Sequence, residues 1–175
     1  MFAINPEIMA FENKEESMYG QEATLREQIT SEYKEDLTKL LKYLPYLEKR
    51  SGKDVQEFYE GDGEQKVIPV PVYDSTLLGF IKEAQKTKFM NRNYPYIYRK
   101  WKMPTPQSER IAMESATIRD IELFRGIISR YVMEGMRKSY MWTAGVEERI
   151  FVTALVKLRS LIFDYSKDPQ EERPR

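Results

Sequence analysis

In 175 residues this chain has no histidine and no cysteine, and its 28 Lys and Arg balance 28 Asp and Glu. The first absence excludes a Ser-His-Asp triad, a Cys-His pair, a zinc finger, a disulfide framework and a His-ligated metal; any catalysis would rest on carboxylates, Lys, Arg, Tyr, Ser or Thr. With 41% apolar and 32% charged residues, the chain has the composition of one globular domain with a real core and a polar surface.

The expected fold is mainly α (α+β), a compact bundle of about four helices with a short extended segment or small hairpin. An N-terminal arm is expected over residues 1–20, one globular domain over 21–166, and a disordered, charged, proline-containing tail over 167–175. The start carries Phe2, Ile4, Ile8, Met9 and Phe11 but no basic n-region, with early acids at Glu7 and Glu12. It does not read as a signal peptide. No run approaches the roughly 18 apolar residues of a membrane span, so no membrane partner is expected and the cytoplasm is the default location.

The first helix is expected from about Ser31 to Leu44, where Leu37, Leu40, Leu41 and Leu44 make one apolar stripe. Pro45 ends or kinks it, with Tyr46-Leu47 available for a further turn. Residues 50–66 read as a loop around Ser51-Gly52 and Gly61-Asp62-Gly63, with a short helical turn at Val55–Tyr59. Val67–Tyr73 is β-branched and alternating but holds Pro69 and Pro71, which predicts an edge strand or extended strap. Asp74 caps a second helix from about Ser75 to Lys86, buried through Leu77, Leu78, Ile81 and Ala84. Residues 87–106 read as irregular because of Asn91, Asn93, Pro95, Pro104 and Pro106. A third helix begins near Ser115 or Thr117, with Thr117-x-x-Asp120 as its capping box; Ile118, Ile121, Phe124, Ile128 and Tyr131 form its inner stripe and Gly135 its C-cap. The fourth, from about Thr143 to Tyr165, buries Val146, Ile150, Ala154, Leu158 and Leu161, broadened by Leu155 and Ile162.

Charge is segregated along the chain. Residues 1–64 hold 15 acids against 8 bases, residues 65–142 hold 7 against 14, and the rest is balanced. Either the acidic third packs on the basic one and neutralises it, or two opposed faces result, one of which meets a charged partner. The densest basic stretch is 82–102, where Lys82, Lys86, Lys88, Arg92, Arg99, Lys100 and Lys102 meet a single acid, Glu83, and interleave with Phe89, Tyr94, Tyr96, Tyr98 and Trp101. Cations beside flat rings suit a phosphate backbone with stacked bases, a protein hot spot, or a satellite core with a solvated outside.

Weaker candidates surround it. Glu57, Glu60, Asp62 and Glu64 offer oxygen ligands, but their spacing is not that of an EF-hand and a solvated turn is the plainer reading, so no metal is expected. Glu147-Glu148 reads as a pair of acids in the first turn of the last helix, favourable to its dipole. Gly145 offers backbone N–H groups to a phosphate. Tyr131, Tyr140 and Trp142, with Arg130, Arg137 and Lys138, form a binding face or cap the edge of a helical core. Met103, Met133, Met136 and Met141 read as gap-filling packing residues rather than cofactor ligands.

Two stretches resemble a small bacterial and phage family known only as a domain of unknown function. One is Leu40-Leu41-Lys42-Tyr43-Leu44-Pro45-Tyr46-Leu47, followed by Val70-Pro71-Val72-Tyr73. The other is Trp142-Thr143-Ala144-Gly145-Val146-Glu147-Glu148-Arg149-Ile150, continuing as Leu155-Val156-Lys157-Leu158. The resemblance spans about residues 37–162 and rests mainly on apolar spacing. It implies a compact helix-rich domain from bacteria or their mobile elements, no assigned activity, and a phage-like context.

The function expected is a non-catalytic protein-binding module without cofactors, of the kind a phage or mobile element uses to inhibit a host protein such as a CRISPR nuclease. The partner-binding residues are Lys88, Arg92, Tyr94, Tyr96, Tyr98, Arg99, Lys100, Trp101 and Lys102, with Trp142 nearby. Replacing Arg99, Lys100 and Trp101 by alanine is expected to abolish binding without unfolding. The alternatives are direct nucleic-acid binding through 82–102, and a Mg²⁺ enzyme in which Glu57, Asp62 or Glu147 converge.

Overall fold

The structure, a computed structural model, describes residues 6–53, 56–59, 70–138 and 140–164. Its order is α1 (Pro6–Leu41), α2 (Leu44–Arg50), β1 (Gln56–Tyr59), β2 (Val70–Tyr73), α3 (Ser75–Gln85), α4 (Tyr94–Trp101), α5 (Pro106–Glu114), a 3-10 turn (Ile118–Asp120), α6 (Ile121–Glu134), α7 (Tyr140–Glu147) and α8 (Ile150–Ile162). The domain is mainly α, as expected, with eight α-helices among the described residues rather than about four.

Helix α8 is the axis of the core. Ile150, Phe151, Val152, Ala154, Leu155, Leu158 and Ile162 are all buried, so it is apolar around most of its circumference, the pattern of a helix enclosed by others. Helices α1, α2, α5, α6 and α7 all pack on it. Helix α1 presents Ile29, Tyr33, Leu37 and Leu40 at helical spacing, and Arg26 donates from Nη1 to the Leu161 carbonyl at 3.0 Å, satisfying one of the last carbonyls of α8. Phe80 of α3 and Tyr131 of α6 meet the Phe151 ring edge-on, at centroid distances of 5.0 and 6.0 Å.

Several boundaries differ from expectation, each for a local reason. The segment expected as an extended arm is helical from Pro6 onward, continuous with α1. Pro45 separates α1 from α2 but sits in the first turn of α2, where its missing N–H costs nothing. The helical turn expected at Val55–Tyr59 is a strand: β1 pairs antiparallel with β2 in the register Gln56↔Tyr73 to Tyr59↔Val70. The expected irregular stretch 87–106 contains α4, with Pro95 in its first turn. It is followed by α5, capped by Thr105 and Ser108 in a reciprocal box.

The single last helix is in fact two, α7 and α8, broken at Arg149, which adopts φ 59°. Glu147 therefore ends α7 and Glu148 lies in the turn after it, instead of both opening the last helix. The Glu148 carbonyl accepts a 2.6 Å bond from Arg110 Nη1. Gly145 lies inside α7 against Phe151, where an added Cβ would stand 2.3 Å from Cε2. Its backbone is covered, so it is no phosphate site.

Other expectations hold. Asp74 accepts from the Thr76 N–H at 2.7 Å at the start of α3. Thr117 and Asp120 make the expected capping box, and the inner stripe Ile118 to Tyr131 is buried throughout. Met103 and Met141 are buried packing residues, whereas Met136 is exposed. The residues expected in the 61–63 turn, the 67–69 part of the strap and the tail from 167 lie outside the described residues, as do Glu60, Asp62 and Glu64. Among the described residues no helix is long and apolar enough to cross a membrane, and no group of three or more Asp and Glu could hold a metal ion.

Candidate interaction face on α4 and its buried anchor

The basic aromatic segment is ordered by its own amphipathic spacing. In α4, Tyr94, Ile97, Tyr98 and Trp101 recur at i, i+3, i+4 and i+7, the spacing of one helix face. Ile97 is buried and the other three are half-buried, while Tyr96, Arg99 and Lys100 are exposed, Tyr96 at 51%. The inner face lies on α6. Contact is closest at Gly126, where an added Cβ would stand 2.6 Å from Ile97 Cγ2 and 2.7 Å from its Cβ. Only a residue without a Cβ lets α4 sit this close.

Both ends of the segment are pinned. Before α4, the Lys88 N–H donates to Asp36 Oδ2 at 2.8 Å and the Asn91 N–H to Ser129 Oγ at 2.7 Å. Ser129 Oγ donates in turn to the Phe89 carbonyl, and Arg125 Nε to that of Lys88. After α4, Lys102 takes φ 53°, a left-handed conformation uncommon for a side chain with a Cβ. It directs Met103 into the core, where it is buried.

Under the helix lies a carboxylate that sequence reasoning passed over. Glu109 of α5 is 1% exposed. It accepts from Tyr98 Oη at 2.5 Å and Tyr131 Oη at 3.0 Å, and Arg130 Nη1 stands 3.6 Å away. The Arg130 guanidinium lies over the Tyr98 ring, 4.6 Å from its centroid. Burial pushes the Glu109 carboxyl above its ordinary value, although both phenols and Arg130 favour the charged form. Burial, and then the Glu109 charge, push Tyr98 and Tyr131 far upward, so both phenols remain donors at any physiological pH. One acid thus ties α4, α5 and α6 together. Glu109 carries no motif; its partners are 11 and 22 residues away, and no local signal marks a Glu of a short helix as buried.

The predicted contact residues divide into two sets. Lys88, Arg92, Tyr96, Arg99, Lys100 and Lys102 are exposed, and among the described residues none of the five cations makes an ion pair. Among the described residues the acidic first third touches this segment through Asp36, which bonds a backbone N–H of Lys88 rather than a cation, and through the Tyr33 ring, 5.0 Å from that of Phe89. Tyr98 and Trp101, by contrast, pack against the core, and Tyr98 is bonded inward; they support the face and do not present it. Trp101 is half-buried against the core, so a variant that keeps it separates binding from folding more cleanly than the alanine triple of Arg99, Lys100 and Trp101.

Trp142 belongs to a different seam. Its Nε1–H donates to the Val132 carbonyl at 2.9 Å, and its ring covers Gly135. Gly135 ends α6 with φ −61°, so its small size, not a left-handed turn, is what the site needs: a Cβ there would stand 2.0 Å from Trp142 Nε1. We expect Gly135→Ala to expel the indole and cost about 2 kcal/mol. A red-shifted tryptophan emission and a lowered urea midpoint would show it; unchanged emission would mean that the indole tolerates the methyl.

At the N-terminal end of α4 a cleft of about 370 Å³ opens between Arg92, Tyr94, Met133, Glu134 and Arg137. Glu134 is engaged there by Arg130 at 3.7 Å and Lys138 at 3.9 Å. Compared with protein-family models, curated proteins and solved structures, the chain finds no match.

Proposed function

We propose that the chain is a non-catalytic protein-binding module whose contact surface is the outer face of α4. The observation that carries this reading is the pairing of exposed Tyr96 with the cations Arg99, Lys100 and Lys102, which make no ion pair among the described residues, on a helix locked from beneath by Glu109. Tyr and Arg dominate protein hot spots because they contribute large contact area with few rotatable bonds, and a rigid support lowers the ordering cost of binding. The cationic face asks for an acidic partner surface. A nuclease of bacterial defence, whose metal-binding carboxylates line an acidic cleft, is a partner of that kind, and its inhibition by a mobile element is the role we favour.

The nucleic-acid reading draws on the same cations and is separated from this one by salt. We expect no tight binding of labelled single- or double-stranded DNA or RNA even at low salt. The Tyr96→Ala, Arg99→Ala, Lys100→Ala triple variant, which removes only exposed side chains, is expected to lose captured protein partners at unchanged urea stability. Tight nucleic-acid binding with a log–log salt slope of about 0.9 per phosphate contact would reverse the assignment.

A further inference from the structure

The cleft beside α4 is lined by two arginines and one glutamate. Arg92 and Arg137 are exposed, and neither guanidinium makes an ion pair or hydrogen bond among the described residues. Glu134, the acid in the wall, already faces Arg130 and Lys138, so the two free guanidinium groups leave the cleft with a positive surplus. Met133 and the Tyr94 ring supply an apolar wall, suited to the methylene stem of a side chain. The Tyr94 hydroxyl is raised by burial and then by the Glu134 charge, so it stays protonated.

We propose that this cleft is a carboxylate site, and that the partner of α4 is an acidic protein segment that sets a Glu or Asp side chain between Arg92 and Arg137. A planar, singly charged carboxylate matches two guanidinium forks. The Glu134 carboxylate opposes the additional charge of a phosphate monoester and the repeated charges of a nucleic-acid backbone. The site lies at the N-terminal end of the helix whose outer face carries Tyr96, Arg99 and Lys100, so one extended acidic segment spans both. This inference rests on the α4 reading and names the chemistry of its partner.

The test is fluorescence anisotropy of the whole protein with a labelled glutamate-rich peptide, its glutamine counterpart and duplex DNA at low salt. We expect binding of the glutamate peptide only, and a loss of tenfold or more with Arg92→Ala plus Arg137→Ala at unchanged circular dichroism. Undiminished binding in that double variant, together with loss in the Tyr96, Arg99 and Lys100 triple, overturns the cleft and leaves the α4 face standing. Undiminished binding in both overturns both readings. Equal binding of the glutamine peptide, no peptide binding at all, or tighter binding of DNA that is lost with the same arginines each overturns the carboxylate assignment.

Discussion

Replacing Glu109 by alanine is expected to lower the free energy of unfolding by about 3 kcal/mol, because it strips the acceptor from two part-buried or buried phenols and one of two carboxylate partners from Arg130. For a chain of this size that is a fall in melting temperature of about 6–12 °C. Glu109→Gln is the informative companion. It keeps an acceptor and the shape of the side chain, and its cost should stay near 1 kcal/mol. The two variants separate packing from charge.

The charge has a definite sign. Because burial raises the Glu109 carboxyl in the folded state, the native protein holds that proton more tightly than the unfolded chain. The contribution to stability is therefore fully present below the unfolded carboxyl value and is lost as pH rises through the folded one. Wild type should lose ground to Glu109→Gln as pH rises above the ordinary carboxyl range of about 4, read as the difference between their urea midpoints at each pH. A difference that stays flat with pH would show that the Tyr98, Tyr131 and Arg130 contacts fully offset the desolvation of the carboxylate.

Gly126→Ala is expected to cost about 2 kcal/mol and to weaken any function of the α4 face, because the methyl enters the space of Ile97 close to the helix backbone. Neither Ile97 Cβ nor Cγ2 can swing away as the tip of a long side chain can. Helix α4 itself must shift, and with it Tyr96, Arg99 and Lys100. The check is a double-mutant cycle with Ile97→Ala. Alone, Ile97→Ala should cost about 2–4 kcal/mol through the cavity it leaves. Combined with Gly126→Ala the total should fall well below the sum, since each change fills or relieves the other. Additive costs would mean that the two residues do not interlock.

The reach of the sequence can be followed residue by residue. Asp74 before α3, Thr117 and Asp120 before α6, and the apolar spacing of Ile118 to Tyr131 were all legible, because caps and periodicity are settled within one or two turns of chain. The concentration of cations and rings in 82–102 was legible as well. The arrangement of those side chains was not: asparagines and prolines made the stretch read as irregular, although Pro95 and Pro106 both fall in first turns, where proline is at home. The break at Arg149 had no warning either, since neither glycine nor proline marks it, and it is stabilised from afar by Arg110 on the Glu148 carbonyl.

By itself, then, the sequence determined the helical class, the positions of the best-capped helices, the exclusion of histidine and cysteine chemistry, and the segment on which positive charge and aromatic rings are concentrated. These follow from composition and from forces that act over a few residues. Only the tertiary structure decided which rings of that segment face inward, that Gly126 seats α4 on α6, and that Glu109 holds Tyr98 and Tyr131 from beneath. It also decided that Arg92 and Arg137 flank one cleft. Those outcomes depend on burial and on partners brought together by folding, and the cost of removing a carboxylate from water is defined only once its surroundings exist.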